Sequence, residues 1–188
     1  MDQDLITRLL KNLWEFRRTV QTPFDRGFIG ELLVLRQLLR TYKTGGIKYF
    51  GSANRGRDFE LTLKGRTIQI EVKSTSEWDK NKNPKWVRQH ARNFCDIKID
   101  KRSAKQYVSP RKDHGTNLFW VFVDVKTWFE KKQTSFFVLL DKKVKARFGE
   151  KYQKLYHKKI RKSQSDDCWI EYADVKSFKD NRLIKLIK

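Results

Sequence analysis

The chain has few glycines, prolines and cysteines: nine, three and two among its 188 residues. Because glycine and proline are scarce, we do not expect a disordered basic tail protein. Cys95 and Cys168 lie far apart and form no CxxC pair, which predicts reduced thiols, a cytoplasmic location and no structural zinc. The sequence also lacks a run of about 18 apolar residues and a signal-like start, so we expect no membrane association.

Motifs of several common enzyme classes are absent as well. The sequence contains no HxxxH pair, no GxxxxGK(S/T) loop and no GxSxG segment. A zinc site of the first type, an ATP-driven helicase and a serine-type hydrolase are therefore without support.

Acidic residues are too few to balance the basic ones. The formal net charge is +21, from 43 Lys and Arg against 22 Asp and Glu. Such an excess destabilises the compact state by self-repulsion unless a polyanion relieves it, and nucleic acid is the polyanion whose binding releases condensed counterions. Hydrophobic residues make up 38% of the chain and aromatic residues 13%, which is enough for a packed core. We therefore predict a folded protein that binds nucleic acid.

The spacing of apolar residues predicts an α/β fold of mixed α+β character, with a central mixed sheet flanked by helices. We expect helices over 4–20, from Pro23 to just before Gly45, and over 142–162. The buried side of the first helix is expected to carry four apolar residues: Leu5, Leu9, Leu13 and Phe16.

Alternation of apolar and polar residues predicts strands at 47–50, 58–63, 67–73, 118–125 and 135–140. The strand at 118–125 is nearly all apolar, as expected of a central strand that is buried on both faces. We expect a single domain over 1–188, with three additions. These are a helical extension at 1–22, a basic insert at 74–116 that is irregular between 74 and 114, and a basic helix and tail at 142–188.

Polar residues occupy one face of the strand expected at 67–73. The other face is apolar, so Glu71 and Lys73 point together from the polar side. Asp58 lies one hairpin upstream, and antiparallel pairing across a tight turn at 64–66 brings it toward Glu71 in a register that the sequence leaves open. Two carboxylates and an ammonium in one place can hold a divalent metal and activate a water. The alternative is the solvated outer face of a hairpin.

A third acid, Glu31, lies within the apolar stripe of the second helix, beside Phe28, Leu32 and Leu35. A carboxylate there is costly to bury unless a cation or hydrogen bonds compensate it. The alternative is a glutamate near the first turn that reaches solvent and gains from the helix dipole. Acids grouped in a basic groove would repel phosphates unless a metal ion neutralised them.

The order of these segments resembles the PD-(D/E)XK, or restriction-endonuclease-like, nuclease superfamily. The resemblance rests on GFIGE at 27–31, GRD at 56–58 and EVK at 71–73, and on an αβββαβ order over roughly residues 23–141. Arg57 stands where the pattern that names the superfamily has proline. The resemblance implies a restriction-endonuclease-like core and a metal-dependent endonuclease that hydrolyses phosphodiester bonds, in DNA rather than in RNA.

The same resemblance implies roles for individual residues. Asp58 and Glu71 would coordinate Mg²⁺, for which Mn²⁺ can substitute, together with the main-chain carbonyl of Val72. Glu31 would hold the metal shell or a second ion from the helix side, and Lys73 would orient or deprotonate the attacking water. Such domains often pair so that both DNA strands are cut, which makes a homodimer the expected arrangement.

Two basic runs, at 80–114 and 142–162, predict a groove that follows a nucleic-acid backbone. Gln69 is expected to contact substrate, and Glu60 to support Asp58 as a further acid. Further nucleic-acid contacts are expected from five basic residues: Lys80, Lys82, Lys85, Arg88 and Arg92. Trp78 and Trp86 either stack on bases or pack the insert onto the domain, and we favour packing.

Two other functions are compatible with parts of the sequence. A non-catalytic module that binds nucleic acid would keep the fold, but it would have no need for Asp58, Glu71 and Lys73 together. An RNA-binding or ribosome-associated basic protein would explain the charge, but neither Glu31 nor the polar strand face. Binding of Mg²⁺ or Mn²⁺ at the acids distinguishes the nuclease from both.

Overall fold

The computed structural model describes residues 3–15, 23–42, 46–51, 57–90, 95–99, 106–110, 117–158 and 167–183. Its helices are α1 (Gln3–Glu15), α2 (Pro23–Thr41), α3 (Val125–Lys131), α4 (Asp141–Lys158) and α5 (Tyr172–Val175). Its strands are β1 (Gly46–Tyr49), β2 (Phe59–Leu63), β3 (Arg66–Thr75), β4 (Lys85–His90), β5 (Cys95–Ile99), β6 (Gln106–Pro110), β7 (Leu118–Asp124), β8 (Phe136–Leu140) and β9 (Asp167–Glu171).

A five-stranded mixed sheet runs in the order β1-β2-β3-β7-β8. Its central neighbours β3 and β7 are parallel, and the other pairs are antiparallel. Val121 and Phe122 of β7 point to opposite faces and are both fully buried, as predicted for a central strand. The predicted mixed α/β class with a central sheet flanked by helices is confirmed.

The β2–β3 hairpin turns through Lys64 and Gly65, whose φ angles are 48° and 77°. Two successive residues with positive φ make the tight turn whose twist matches that of antiparallel strands, and Gly65 adopts it without steric cost. The turn fixes a register in which Phe59 lies opposite Ile70. The functional residues discussed below depend on that register.

Two apolar cores lie on opposite faces of the sheet, because successive strand residues point to opposite sides. The first core lies beneath α1, α2 and α3 and includes Ile70 and Val121. The second core lies beneath α4, β4 and β9 and includes Trp86, Phe122 and Phe148, all fully buried. Helices therefore cover the first core, whereas α4, the short α5 and a two-stranded ribbon cover the second.

For Leu5 and Leu9 the predicted buried side of α1 is wrong by one position, whereas Leu13 is partly buried against the first core, as predicted. Leu5 and Leu9 are 57% and 36% exposed, whereas Ile6 and Leu10 are buried at 6% and 2%. Two apolar stripes one residue apart both have helical spacing, and contact with α2 decides between them. Phe16, predicted on the same side, lies outside the described residues.

The prediction of an irregular segment over 74–114 is also wrong. β3 continues to Thr75, and β4, β5 and β6 follow within the segment. β5 and β6 form a hairpin, while β4 pairs with the distant β9 through a register shift between Trp86 and Gln89. A short strand with so distant a partner leaves little local signal in the sequence.

The predicted divisions at 1–22, 74–116 and 142–188 stay predictions, since each contains residues outside the described ranges. α4 begins at Asp141, one position before the predicted start.

None of the described helices is both long and apolar enough to cross a membrane.

Candidate functional site

Asp58 lies directly before β2, at the end of the hairpin ladder. Its N–H donates to the carbonyl of Ile70 at 2.8 Å. Its Oδ2 accepts a hydrogen bond from the main-chain N–H of Val72 at 2.6 Å. This pair of contacts holds the carboxylate beside Glu71 and fixes the register that the sequence left open.

Glu71 and Lys73 share the polar face of β3, on the side of the second core. Lys73 Nζ donates to Glu71 Oε1 at 2.5 Å. The other oxygen, Glu71 Oε2, is buried and has no hydrogen-bond partner among the described residues. Lys73 Nζ also lies 5.6 Å from the ring centroid of Trp120, which pairs with Glu71 across the β3–β7 ladder. A buried carboxylate oxygen without a partner is costly, and a bound cation would relieve that cost.

Gly30 allows α2 to approach β3 closely. A Cβ built at this position would lie 1.7 Å from Ser74 Oγ and 2.8 Å from Ser74 Cβ. No side chain larger than hydrogen fits there unless the helix or the strand moves. The next helical residue is Glu31, so this close approach sets the distance of Glu31 from the acids of the hairpin.

Glu31 is oriented by a tyrosine of β1. Tyr49 Oη donates to Glu31 Oε2 at 2.5 Å, and the tyrosine ring packs on Phe59 with centroids 5.0 Å apart. Tyr49 and Phe59 are cross-strand partners in the β1–β2 ladder. The carboxylate that the sequence placed in an apolar stripe is therefore compensated by a hydrogen bond, rather than directed away into solvent.

The three acids interact electrostatically. Burial raises the pKa of Asp58 from its ordinary value of 3.8 to about 7; the charge of Glu71 adds to this shift, and the Val72 hydrogen bond opposes it. Burial also raises the pKa of Glu31, while its hydrogen bond from Tyr49 lowers it and the Glu71 charge raises it. Carboxylates crowded in this way retain protons or attract a cation.

Asp58, Glu71 and Glu31 are not arranged as a complete metal-binding site. Within the described ranges, no three His, Cys, Asp or Glu side chains are grouped so that they could hold a metal ion. Asp58, Glu71 and Glu31 each already accept a hydrogen bond from the chain. The donor set nevertheless fits a hard cation, because it consists of carboxylate oxygens, and one of them, Glu71 Oε2, has no hydrogen-bond partner in the described part of the chain.

The remaining predicted acid and amide lie beside this cluster. Glu60 and Gln69 are cross-strand partners, and Glu60 lies two residues beyond Asp58. Glu60 Oε2 is paired with Arg57 Nη1 at 3.4 Å, and the Arg57 guanidinium stacks 4.6 Å from the ring of Phe50. Arg57 thus contacts both Glu60 and Phe50 next to Asp58. The roles predicted for Glu60 and Gln69 stay predictions.

The structure describes only some of the predicted basic contacts. Lys80 and Lys82 are exposed on the turn before β4, and Lys85 is half-buried at the start of β4. Arg88 is in β4, but its side chain lies outside the described part of the chain, as does the whole of Arg92. These five contacts therefore stay predictions.

Both tryptophans of the predicted insert pack against the domain. Trp86 is fully buried in the second core, and its Nε1 donates to the carbonyl of Lys73 at 2.9 Å. Trp78 is half-buried, its Nε1 donates to Asp124 at 3.3 Å, and Lys126 lies over its ring. The preference for packing over base stacking is confirmed for Trp86.

Sequence reasoning did not find three residues that complete the site: Tyr49, Ser74 and Trp120. Glycine inside a helix was an available signal for the close contact with Ser74. No local signal connects Tyr49 to Glu31 or Trp120 to Lys73, because each pair forms through strand order and register.

Comparison with known proteins identifies no family for this chain. No protein-family model matches it, and no curated protein does so either. Among solved structures, the bacterial homing endonuclease I-Ssp6803I is similar, with a TM-score of 0.44 and 14% identity over 80% of this chain and 78% of that one. A likeness of this size establishes neither a shared fold nor a shared function, so the function proposed below rests on the site residues.

Proposed function

We propose that this protein is a metal-dependent endonuclease that hydrolyses phosphodiester bonds in DNA, as its resemblance to PD-(D/E)XK nucleases implies. The carboxylate cluster carries the proposal. Asp58, with a pKa raised to about 7, lies beside Glu71, which has a buried oxygen with no hydrogen bond to any residue that the structure describes. A divalent cation would offset this crowding. The net charge of +21 supports a polyanionic substrate.

Asp58 and Glu71 would hold Mg²⁺ or Mn²⁺, with Glu31 and the main-chain carbonyl of Val72 as further oxygen ligands. When bound, the ion supplies a water of lowered pKa and stabilises negative charge on the phosphate. Lys73, whose Nζ now contacts Glu71, would orient the attacking water or take its proton, and would offset charge that develops on the phosphate oxygens.

Three further features of the proposal concern substrate and assembly. Exposed lysines next to β4 would contact phosphates, which fixes position without selecting a sequence. One chain would supply one cluster and so make one cut, so a homodimer would be needed for cleavage of both strands. A cytoplasmic protein of this kind would act on DNA inside the cell.

Cleavage of supercoiled plasmid and of single-stranded DNA in Mg²⁺ or Mn²⁺ tests the proposal. We expect wild-type cleavage that EDTA abolishes. Glu71→Gln and Lys73→Ala should each reduce the rate about a thousandfold, because each removes a group that acts on the reacting water or phosphate. The control is Glu77→Gln, which makes the same change of charge at an exposed position just beyond β3 and should cleave at the wild-type rate.

DNA affinity, measured by fluorescence anisotropy, separates catalysis from binding. We expect all three variants to bind DNA about as tightly as the wild type. Tight binding without cleavage in either metal, on either substrate, would replace the nuclease with the non-catalytic binding module. Cleavage that survives both Glu71→Gln and Lys73→Ala would show that the active site lies elsewhere.

A further inference from the structure

Trp120 lies between the candidate site and the second core. It is cross-strand partner to Glu71 in the parallel β3–β7 pair, and it is only 6% exposed. The ammonium of Lys73 lies over its ring, and the ring of Phe122 stacks on it with centroids 6.4 Å apart. The indole therefore meets the site cation on one side and the apolar core on another.

The edge of the same indole is fixed by a buried ion pair at the start of α4. Trp120 Nε1 donates to Asp141 Oδ1 at 2.8 Å, and Asp141 Oδ2 is paired with Lys145 Nζ. Asp141 and Lys145 are 1% and 6% exposed. A buried ion pair is a weak source of stability, because desolvation of both charges opposes their attraction. The pair instead provides a directional acceptor, Asp141 Oδ1, for the indole N–H.

Lys73 has a long flexible side chain, and its contact with Glu71 is the one that a bound metal ion would compete for. Its contact with the Trp120 ring does not depend on Glu71. A cation over an indole face is attracted by the ring quadrupole, most strongly when water is excluded. The ring can act in this way only if it keeps its orientation, which the Asp141–Lys145 pair provides.

We propose that Trp120 is a positioning residue that holds the Lys73 ammonium in place, with Asp141 and Lys145 holding the Trp120 ring. The inference rests on the proposed nuclease function for its effect on catalysis. The position of Lys73 over the Trp120 ring does not depend on whether the protein is a nuclease. The two parts can therefore be tested separately.

The position of Lys73 is measured by NMR after reductive methylation with ¹³C-formaldehyde, which keeps the positive charge of lysine. The Lys73 methyl resonance is the one that disappears in Lys73→Arg. We expect it to be displaced from the resonances of exposed lysines by the ring current of Trp120, and to join them in Trp120→Leu. The control is Trp128→Leu, which removes a tryptophan buried in the first core and should leave the resonance in place.

Catalysis is measured with a double-mutant cycle. Trp120→Leu should lower kcat about three- to thirtyfold, with little change in KM, whereas Trp120→Phe, which keeps an aromatic face, should recover part of the loss. In a Lys73→Ala background, Trp120→Leu should have no further effect. A merely structural tryptophan would give the same loss in both backgrounds, and that result would overturn the proposal.

Two outcomes distinguish this inference from the proposed function. If the wild type cleaves nothing, the nuclease proposal fails, but the NMR experiment still decides whether Trp120 positions Lys73. If Trp120→Leu does not fold, Trp120→Phe takes its place, and its Lys73 resonance must move because the ring is smaller and the hydrogen bond to Asp141 is lost. An unmoved Lys73 resonance in the Trp120 variant contradicts the inference.

Discussion

The two cores that pack on opposite faces of the central sheet differ in the number of buried polar and charged residues beside them. The first core, beneath α1, α2 and α3, is built from hydrophobic residues. Five buried polar or charged residues are found in the described chain, and all lie on the other side: on the second-core face of β3 and β7, or on α4. They are Glu71, Thr75, Asp124, Asp141 and Lys145.

This difference arises within single strands. Along β3, Ile70 and Val72 enter the first core while Glu71 and Lys73 point the other way. Burial of a charge is costly unless it is paired, so a fold that places its charges on one face limits that cost to one region. The first core therefore contributes stability, whereas buried charges such as Glu71 on the other face lower it. Glu31 and Tyr49 reach the candidate site from the first-core side.

The largest expected effect is on stability, from the first core. Leu38→Ala removes a fully buried side chain two helical turns beyond Glu31 and should lower the free energy of unfolding by about 2–5 kcal/mol. Urea unfolding measures the loss, and the cleavage rate per folded molecule should stay at the wild-type value. A catalytic loss in this variant would mean that the two faces are not separable.

A smaller effect is expected where α2 meets β3. Gly30→Ala places a Cβ against Ser74 and should lower stability by about 1–3 kcal/mol, while moving Glu31 and slowing cleavage. The double variant Gly30→Ala/Ser74→Gly removes the blocking atoms and should recover part of the cleavage rate. If Gly30→Ala is as stable and active as the wild type, the close approach does not position Glu31.

Asp58→Asn should raise the free energy of unfolding, whereas the two variants above lower it. Because the folded pKa of Asp58 is about 7 and its ordinary value is 3.8, the folded metal-free protein binds more protons than the unfolded chain between these values. The stability of the wild type in EDTA should therefore fall as the pH rises from about 4 to about 7. Asp58→Asn should remove the part of this fall that Asp58 causes, leaving the part due to the raised pKa of Glu31, and should be about 1–3 kcal/mol more stable than the wild type at about pH 8.

Urea unfolding across that pH range, in EDTA, measures the effect of Asp58. The matched control is Glu60→Gln, a loss of one negative charge on the same hairpin, where Arg57 already pairs with the acid. A wild type whose stability rises with pH across the window would show that the Asp58 carboxylate is not destabilising, and the argument for a cation at this position would fail.

The smallest expected effect concerns Tyr49. Tyr49→Phe keeps the packing on Phe59 but removes the hydrogen bond to Glu31, so we expect about a three- to tenfold loss of cleavage rate and little change in stability. Plasmid cleavage at saturating metal measures the loss. A rate equal to that of the wild type would place Glu31 outside the reaction.

Features of the fold and of the candidate site could be predicted from the sequence where they depend on residues that are close together in the chain. The alternation that puts Glu71 and Lys73 on one face is contained in a single strand, and the tight turn that brings Asp58 toward them is contained in two residues, Lys64 and Gly65. The hairpin was therefore predictable, although its register was not. The unusual position of Glu31 was also visible, because it interrupts an apolar stripe.

Features that depend on distant partners were not predictable. Trp120 meets Lys73 only because β7 aligns beside β3, and Tyr49 meets Glu31 only because β1 joins the far edge of the hairpin. β4 was missed for the same reason, since it pairs with β9. The wrong side of α1 shows a further limit: Leu5 and Ile6 both belong to stripes of helical spacing, and the neighbouring helix decides which one is buried.

The proposed function depends most directly on binding of a divalent cation by Asp58, Glu71 and Glu31. Titration of Mn²⁺ into the DNA-free protein, followed by EPR of the free ion, tests this binding without relying on cleavage. We predict that the wild type binds Mn²⁺, that Mg²⁺ competes for the same site, and that Glu71→Gln abolishes binding while Glu77→Gln does not. Equal Mn²⁺ binding by the wild type and Glu71→Gln, or no binding by the wild type, would contradict it.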